Sequence, residues 1–365
     1  MAVSDGVLVE RESTVRRFVL GVGLFLAIAI IGLIIVKWLP YWHKSLVAAQ
    51  THSIGASIVS GKAVAPQSVG LVAAWQYAVA YFIAVWQAVV LALLIGASIQ
   101  VFVPRRWLLK LIGSDGAKSA AVASAASLAG MMCTCCAAPI VVGLRRQRAS
   151  MGSAIAFFLG NPVLNPATLV FIGFVLGWAF AGIRLAFGLG LVALAAWIAN
   201  RYARSGVTEQ EVHTFAPSAI EDPKRTPLGI AAAWFKELWF EIYTLLPGYI
   251  IIVLILGGLR AWLFPPGLTI HASGVGAVAV LALVGSAFVI PTAGEVPIIQ
   301  TLLHAGMGPG PATALLITLP AISIPSLFIV RKVFPARLLV AVFGCVIAVG
   351  IVAGIVAMAV FAGHA

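Results

Sequence analysis

Long uncharged apolar stretches constrain the fold of this chain more than any other feature of its sequence. A helix needs about 20 apolar residues to cross the hydrocarbon core of a bilayer. The pattern predicts seven such helices, at residues 18–36, 76–103, 153–178, 183–199, 242–264, 310–330 and 338–361. Only 9% of the residues are charged, whereas a soluble domain has about 25%, so charges are too few to cover a soluble surface. The sequence therefore predicts an all-α polytopic membrane protein in contact with the lipid bilayer.

The basic residues determine the predicted orientation. The formal net charge of +12 would also suit a nucleic-acid-binding surface. However, Lys and Arg lie in short segments at the ends of the apolar stretches, as the positive-inside rule describes. Arg11, Arg16 and Arg17 therefore place the N-terminus in the cytoplasm and no nucleic acid is expected as a partner. The first apolar run, 18–36, exceeds the about 7–15 residues of a signal peptide, which predicts an uncleaved anchor helix.

The chain is predicted to contain two repeats. Each half has a spanning helix, then a broken apolar segment, then a helix with an internal proline. Pairs of matching residues 158 positions apart are Pro139 with Pro297, Gly152 with Gly310, and Pro162 with Pro320; pairs 161 apart are Gly96 with Gly257 and Pro104 with Pro265. The predicted units are an N-terminal anchor helix and extracytoplasmic stretch at 1–70, a first repeat at 71–200, a cytoplasmic loop at 201–236 and a second repeat at 237–365.

Two apolar segments, 117–144 and 275–304, are interrupted and are predicted to be re-entrant helical hairpins. If the first enters and returns on one side, Arg145, Arg146 and Arg148 stay cytoplasmic, whereas a full crossing would place them outside. With the hairpins, the two halves form an inverted-topology repeat, a common design in transporters. The second hairpin then enters from the outside.

Three clustered thiols lie at the first break, in the stretch that ends at Pro139. Matched interruptions in the two halves of a membrane protein are the best sequence indication of a binding site. Cys133 and Cys136 would share one face of a helix, and Cys133 and Cys135 one face of an extended chain; Thr134 lies between them. Thiols bind soft cations and metalloids. The alternative is that buried cysteines act only as small apolar residues. No His or acid lies near enough in sequence to complete a zinc site, so no metal is expected.

Polar residues near the breaks complete the predicted substrate site. Glu295 follows Thr292 in the second break, and an ionisable residue inside a membrane is a functional candidate by default. It would carry a proton or hold a cation, or else cap a half-helix. Asn161 and Asn165 form an Asn-Pro-x-x-Asn-Pro pattern that either lines a path or only stabilises a kink. The prolines assigned to helix breaks are Pro139, Pro162, Pro166, Pro291, Pro297 and Pro320.

At these residues the sequence resembles the bacterial predicted-permease family that includes the organoarsenical efflux permeases, over residues 74–360. The resemblance rests on the segments 133–139, 152–159, 161–166 and 294–297 and on the later helix with Pro320. Where the family commonly has Cys-Ser-Cys-Gly, this chain has Cys133-Thr134-Cys135-Cys136. Cys133 and Cys135 match the family pair, and Cys136 stands where glycine is usual. The resemblance implies efflux of trivalent, often organic, arsenicals.

The combined expectation is a secondary permease and not an enzyme. Cys133 and Cys135, with Cys136 as a third thiol, would hold a small thiophilic solute near the midplane, and Glu295 would couple its export to protons. No phosphate-binding Gly-rich loop is present, so neither a nucleotide nor another cofactor is expected. Two alternatives stay open: a permease for an unrelated solute with structural cysteines, and a membrane thiol oxidoreductase that uses Cys133 and Cys136.

Overall fold

A computed structural model describes residues 21–55, 70–204, 226–263 and 273–362, and within these ranges every regular element is a helix. The helices in chain order are α1 (Gly21–Thr51), α2 (Leu71–Phe102), α3 (Arg105–Ile112), α4 (Ala117–Leu128), α5 (Thr134–Arg146), α6 (Met151–Val163), α7 (Pro166–Val175), α8 (Trp178–Arg204), α9 (Pro227–Leu263), α10 (Gly274–Ala287), α11 (Glu295–His304), α12 (Pro309–Ala321), α13 (Ile324–Val330) and α14 (Ala336–Ala362). Outside the described residues lie Arg11, Arg16, Arg17, Pro265 and most of the predicted loop at 201–236.

The seven predicted crossings and the all-α polytopic fold are confirmed. Helices α1, α2, α8, α9 and α14 and the broken pairs α6–α7 and α12–α13 are long and apolar enough to cross a membrane. Three helices are much longer than expected: α1 continues through Lys37 to Thr51, α8 spans Trp178–Arg204, and α9 begins at Pro227, inside the stretch predicted as a loop. A helix satisfies its backbone hydrogen bonds internally wherever it enters the bilayer, so polar residues near the membrane surface do not end it.

The two interrupted segments are pairs of short helices. Helices α4 and α5 have 12 and 13 residues, and α10 and α11 have 14 and 10. At 1.5 Å per residue, none is longer than about 21 Å, whereas the hydrocarbon core is about 30 Å thick. Each pair therefore suits a hairpin that enters the membrane and turns back.

The two halves have matching helices. Helices α6 and α12 both have 13 residues, and Pro162 and Pro320 are the last residue but one of each. The helix that follows begins in both cases after a side-chain cap, from Asn165 and from Ser323. Among the described residues, each half contributes three of the candidate crossings, an odd number, which is the count that the predicted inverted topology requires.

Close helix packing brings the two hairpins together. Helix α2 packs along α9 and against α5, α5 contacts α13, and α11 contacts α7. Small residues allow this approach: a Cβ on Gly143 of α5 would lie 3.0 Å from the carbonyl oxygen of Gly96 on α2. Small residues at such contacts are typical of membrane helix packing. The break in each hairpin is thereby placed against the other half of the protein.

The predicted topology can be tested by cysteine labelling in intact cells. We expect Lys118→Cys and Arg331→Cys to react only after the cytoplasmic side is opened, and Lys44→Cys to react from outside, because positive charge is retained on the cytoplasmic side. All three side chains are exposed, and the native Cys133, Cys135, Cys136 and Cys345 are buried and supply little background. The measurement is labelling with a membrane-impermeant maleimide. External reaction at residue 118 or 331 would contradict the inverted arrangement.

Candidate functional site

The first break, between α4 and α5, is fixed by a side chain from α6. The Met132 backbone N–H donates to Oδ1 of Asn161 at 2.7 Å. A Cβ on Gly130 would lie 2.6 Å from Asn161 Nδ2, so glycine is needed for the amide to approach this closely. Met131 has φ 46°, a left-handed conformation that costs a non-glycine residue about 1–3 kcal/mol. Asn161 therefore positions the backbone of the break.

The second break, between α10 and α11, shows the same kind of strain. Its carbonyl at Val289 accepts a hydrogen bond from the hydroxyl of Tyr77 on α2. Ala293 has φ 64°, again in the left-handed region. Residues held in such conformations cluster at binding and switching sites, because the surrounding structure must stabilise them. Both breaks are thus strained and both are fixed by contacts with another helix.

Two of the three clustered thiols converge. Cys133 is the N-cap residue of α5, and its Sγ lies 3.2 Å from the Sγ of Cys136, three residues into the helix. The Cys135 sulfur points elsewhere, to the Ser323 hydroxyl at 3.5 Å. The helical alternative considered from the sequence therefore describes this stretch, and the pair that matches the family pattern, Cys133 and Cys135, is not the pair that converges. All three are buried.

A small cavity joins the two breaks. Its lining includes these residues singled out from the sequence: Cys133, Thr134, Pro162, Pro291, Thr292, Glu295 and Pro320. The cavity volume is about 10 Å³, which is room for about one water molecule. The sulfur-bearing break and the carboxyl-bearing break therefore meet, but a solute enters between them only if the breaks move apart.

Glu295 is part of a buried ion pair. Its Oε1 accepts a hydrogen bond from Nη1 of Arg184 on α8 at 2.7 Å, and both side chains are almost fully buried. Glu295 is the first residue of α11, and its side chain does not cap the helix. The capping alternative from the sequence is therefore wrong. Its second oxygen, Oε2, is buried and has no hydrogen-bond partner among the described residues.

Arg184 joins the two repeats through backbone oxygens as well. Its guanidinium donates to the carbonyls of Pro162 and Val163 at the end of α6, and to that of Leu316 on α12. The Leu316 carbonyl has lost its helical donor, because Pro320 four residues later carries no N–H. One arginine thus satisfies carbonyl groups at the proline-broken ends of both α6 and α12 and neutralises the carboxylate of the second break.

The remaining predicted residues have structural roles in this arrangement. The Oδ1 of Asn165 caps α7, where it accepts from the two N–H groups that follow Pro166, a strongly preferred N-cap. The Nδ2 groups of Asn161 and Asn165 are buried without a partner among the described residues. Pro139 does not form the first break as expected: it lies inside α5, and the chain breaks before Cys133. Pro297 is likewise inside α11.

Three buried charged residues were not identified from the sequence. Arg184 is the clearest, since it lies within the stretch 183–199 predicted to cross the membrane, and that position alone is a signal of function. Lys37 was assigned to a polar stretch but is buried within α1. Glu241 is buried beside Gln100, so Glu295 is not the only buried acid of the second half.

Comparison with known proteins agrees with this architecture. Residues 116–359 match the profile of a family described as a predicted permease. The chain belongs to this predicted-permease family. The matched region begins just before the first hairpin and includes both breaks, whereas α1 and α2 precede it. The family indicated by the sequence resemblance is therefore confirmed.

Similar proteins occur in bacteria and archaea. The UPF0718 protein YraQ of Escherichia coli is 47% identical over 336 residues, which cover 91% of this chain and 93% of that protein. The UPF0718 protein MJ0584 of Methanocaldococcus jannaschii is 24% identical over 330 residues, which cover 74% of this chain and 90% of that protein. No solved structure matches the chain. This multi-pass membrane protein therefore resembles its relatives over nearly their whole length.

Proposed function

We propose that this permease is a bacterial inner-membrane exporter of thiophilic solutes, with trivalent arsenicals and organoarsenicals as the leading candidates. The observation that carries the proposal is the pair of thiols, Cys133 and Cys136, whose sulfurs lie 3.2 Å apart where the two breaks meet. Two bonds of about 2.3 Å, the length of a zinc–thiolate bond, can join sulfurs up to about 4.6 Å apart. One soft atom can therefore bind both.

The binding reaction is a ligand exchange that needs no cofactor. An organic arsenical with two hydroxyl groups on trivalent arsenic reacts with two thiols. Each As–S bond forms as an As–O bond breaks, and the hydroxyl leaves as water with the thiol proton. Arsenic stays trivalent, so no electrons are transferred. Because thiols favour soft atoms and the exchange is reversible with water or another thiol, the solute can leave on the other side.

Transport by this site requires the two hairpins to separate. The cavity that contains Cys133 and Glu295 has a volume of only about 10 Å³, too small for an arsenical. The strained backbone at Met131 and Ala293 favours movement there, because strain of this kind is released when a segment rearranges. Rocking of one repeat against the other around a central site is a common mechanism in inverted-repeat transporters.

Glu295 is the proposed coupling group for protons. Its Oε2 has no partner among the described residues and belongs to the side chain that lines the central cavity. A proton that binds there would weaken the ion pair with Arg184 and so loosen the contact between the halves. Coupling of this kind would make export depend on the transmembrane proton gradient.

Uptake into everted membrane vesicles tests the proposed function. In such vesicles an exporter accumulates its substrate, so we expect uptake of trivalent phenylarsenical above that of vesicles without the protein. Pentavalent phenylarsonate is the matched control, because pentavalent arsenic with hard oxygen ligands does not exchange with thiols as readily. No accumulation of any trivalent arsenical or soft metal would contradict the proposal.

The geometry of the thiols also favours a second candidate, a membrane thiol oxidoreductase. Cys133 and Cys136 form a Cys-x-x-Cys pair at the start of α5, the spacing used by dithiol redox proteins. The two residues are 5% and 0% exposed, so a protein disulfide cannot reach their sulfurs without a large opening. A purified protein that cycles a disulfide with a redox partner would favour this candidate over the exporter.

A further inference from the structure

Helix α1 brings a buried lysine to the substrate site. The helix changes to a π-helical turn at Ile34–Trp38, and such turns in α-helices are frequent at functional sites. Lys37 lies in this turn and is only 5% exposed. Lysines near the membrane surface ordinarily extend their ammonium groups to water, as the exposed Lys44 does two turns later on the same helix. Lys37 instead points into the protein.

The Lys37 ammonium lacks an acidic partner among the described residues. Its Nζ lies 3.4 Å from the hydroxyl of Tyr41 and 3.4 Å from that of Thr292, both longer than a typical N–H···O bond of about 2.7–3.2 Å. The ion pairs of the described residues are Arg146–Glu237 and Arg184–Glu295. A buried ammonium with three donors and only neutral, distant acceptors is costly. A negatively charged group is what this position lacks.

Lys37 lines a cavity that is large enough for a small solute and positively charged. The cavity has a volume of about 290 Å³, and of the described residues that line it the charged ones are Lys37 and Lys44, with no acidic side chain among them. Pro291, Thr292 and Ala293 line both this cavity and the small central one that contains Cys133. The lysine therefore lies beside the residues that separate the larger cavity from Cys133.

We infer that the solute of this permease is an anion, held at two points. Cys133 and Cys136 bind its soft atom, and the Lys37 ammonium with the Thr292 hydroxyl binds an oxygen-centred negative group such as a carboxylate, sulfonate or phosphonate. The thiol half of this inference rests on the proposed function. The part that concerns Lys37 rests on the larger cavity and on the lack of an acidic partner for its ammonium group among the described residues. Lys37 thereby selects anionic over neutral thiophilic solutes, through charge-assisted hydrogen bonds.

The inference explains why α1 is packed into the transport site. Its neighbour on the same face, Tyr41, is also buried and stacks edge-on against Phe171 of α7. Lys37 itself reaches the tip of the second hairpin at Thr292. Burial of a charged residue in a membrane protein costs free energy, and a helix that only anchored the chain would gain nothing that offsets this cost.

Uptake of two arsenicals that differ by one carboxylate group tests the anion preference. In everted vesicles we expect trivalent 4-carboxyphenylarsenical to be taken up at least about tenfold better than trivalent phenylarsenical, which corresponds to about 1.4 kcal/mol. Lys37→Met keeps most of the length of the side chain but removes the charge, and it should abolish the preference by lowering uptake of the carboxylate at least about tenfold more than uptake of the neutral arsenical. Lys37→Arg should restore the preference. Lys44→Met, at the exposed end of the cavity, is the matched control and should retain it.

Two outcomes would overturn the inference. One is a wild-type protein with no preference for the carboxylate. The other is an equal loss of both arsenicals in Lys37→Met with normal amounts of folded protein, which would mean that Lys37 serves the thiols or the fold instead of the solute.

An arsenic-free anion separates this inference from the proposed function. Isothermal titration of the purified protein with phenylphosphonate should show binding that Lys37→Met abolishes and Lys37→Arg keeps. If no arsenical is transported but phenylphosphonate binds in this way, the exporter proposal fails and the anion site stands. If arsenicals are transported but neither phenylphosphonate nor the carboxylate shows dependence on Lys37, the anion site fails and the exporter proposal stands.

Discussion

Replacement of Glu295 by glutamine is expected to destabilise the protein by about 3–5 kcal/mol, the cost of leaving one partner of a buried ion pair unpaired. Arg184 would keep its charge in a site that is 0% exposed, and its remaining hydrogen bonds to the described residues go to carbonyl oxygens. The measurement is thermal or denaturant unfolding of the purified protein in detergent, together with the folded fraction by size-exclusion chromatography. Arg184→Met should have an effect of similar size.

The second ion pair of the described residues is the control. Arg146 and Glu237 lie 3.1 Å apart, and their side chains are 10% and 14% exposed. Glu237→Gln should therefore cost no more than about 1 kcal/mol, as partly solvated pairs usually do. Unfolding of Glu295→Gln at the wild-type temperature would contradict the prediction. If Glu295→Gln were as stable as the wild type and its arsenical transport no longer depended on the proton gradient, Glu295 would be a coupling group and not a link between the two halves.

Cys133→Ser and Cys136→Ser are each expected to reduce arsenical transport to the level of vesicles without the protein. A hydroxyl has nearly the same shape as a thiol but is a hard ligand, and a single remaining thiol cannot hold trivalent arsenic at two points. Cys135→Ser should retain most of the transport, because the Cys135 sulfur faces Ser323 and not the other two thiols. The measurements are vesicle uptake and growth of cells in trivalent phenylarsenical.

Cys345→Ser is the matched control, since this buried cysteine lies in α14 away from the breaks. Its transport should equal that of the wild type, and all four variants should be present in the membrane in equal amounts. Loss of transport in Cys135→Ser but not in Cys136→Ser would indicate that the solute binds Cys133 and Cys135, the pair that matches the family pattern. Normal transport in all four would mean that the cysteines only pack and that the solute is not thiophilic.

Much of the site was predictable because its signals are local. Cys133, Thr292 and Glu295 were singled out from the sequence, and they line one cavity. A thiol cluster or a lone acid within an apolar stretch stands out whatever it contacts. Arg184 carries the same kind of signal and could have been identified in the same way. The burial of Lys37 could not be predicted in this way, because the hydropathy of α1 falls at that residue and does not reveal that the helix continues.

The sequence by itself determined the all-α fold, the seven candidate crossings and the two interrupted apolar segments. These follow from which residues hydrocarbon accepts and from where proline and glycine interrupt a helix, and both are properties of short segments. Only the tertiary structure determined which side chains contact each buried charged residue. Arg184 and Glu295 are 111 residues apart, and Lys37 and Thr292 are 255 apart. Such pairs arise because packing between distant helices leaves each buried charge with whichever polar group the other half supplies, and no local pattern encodes that choice.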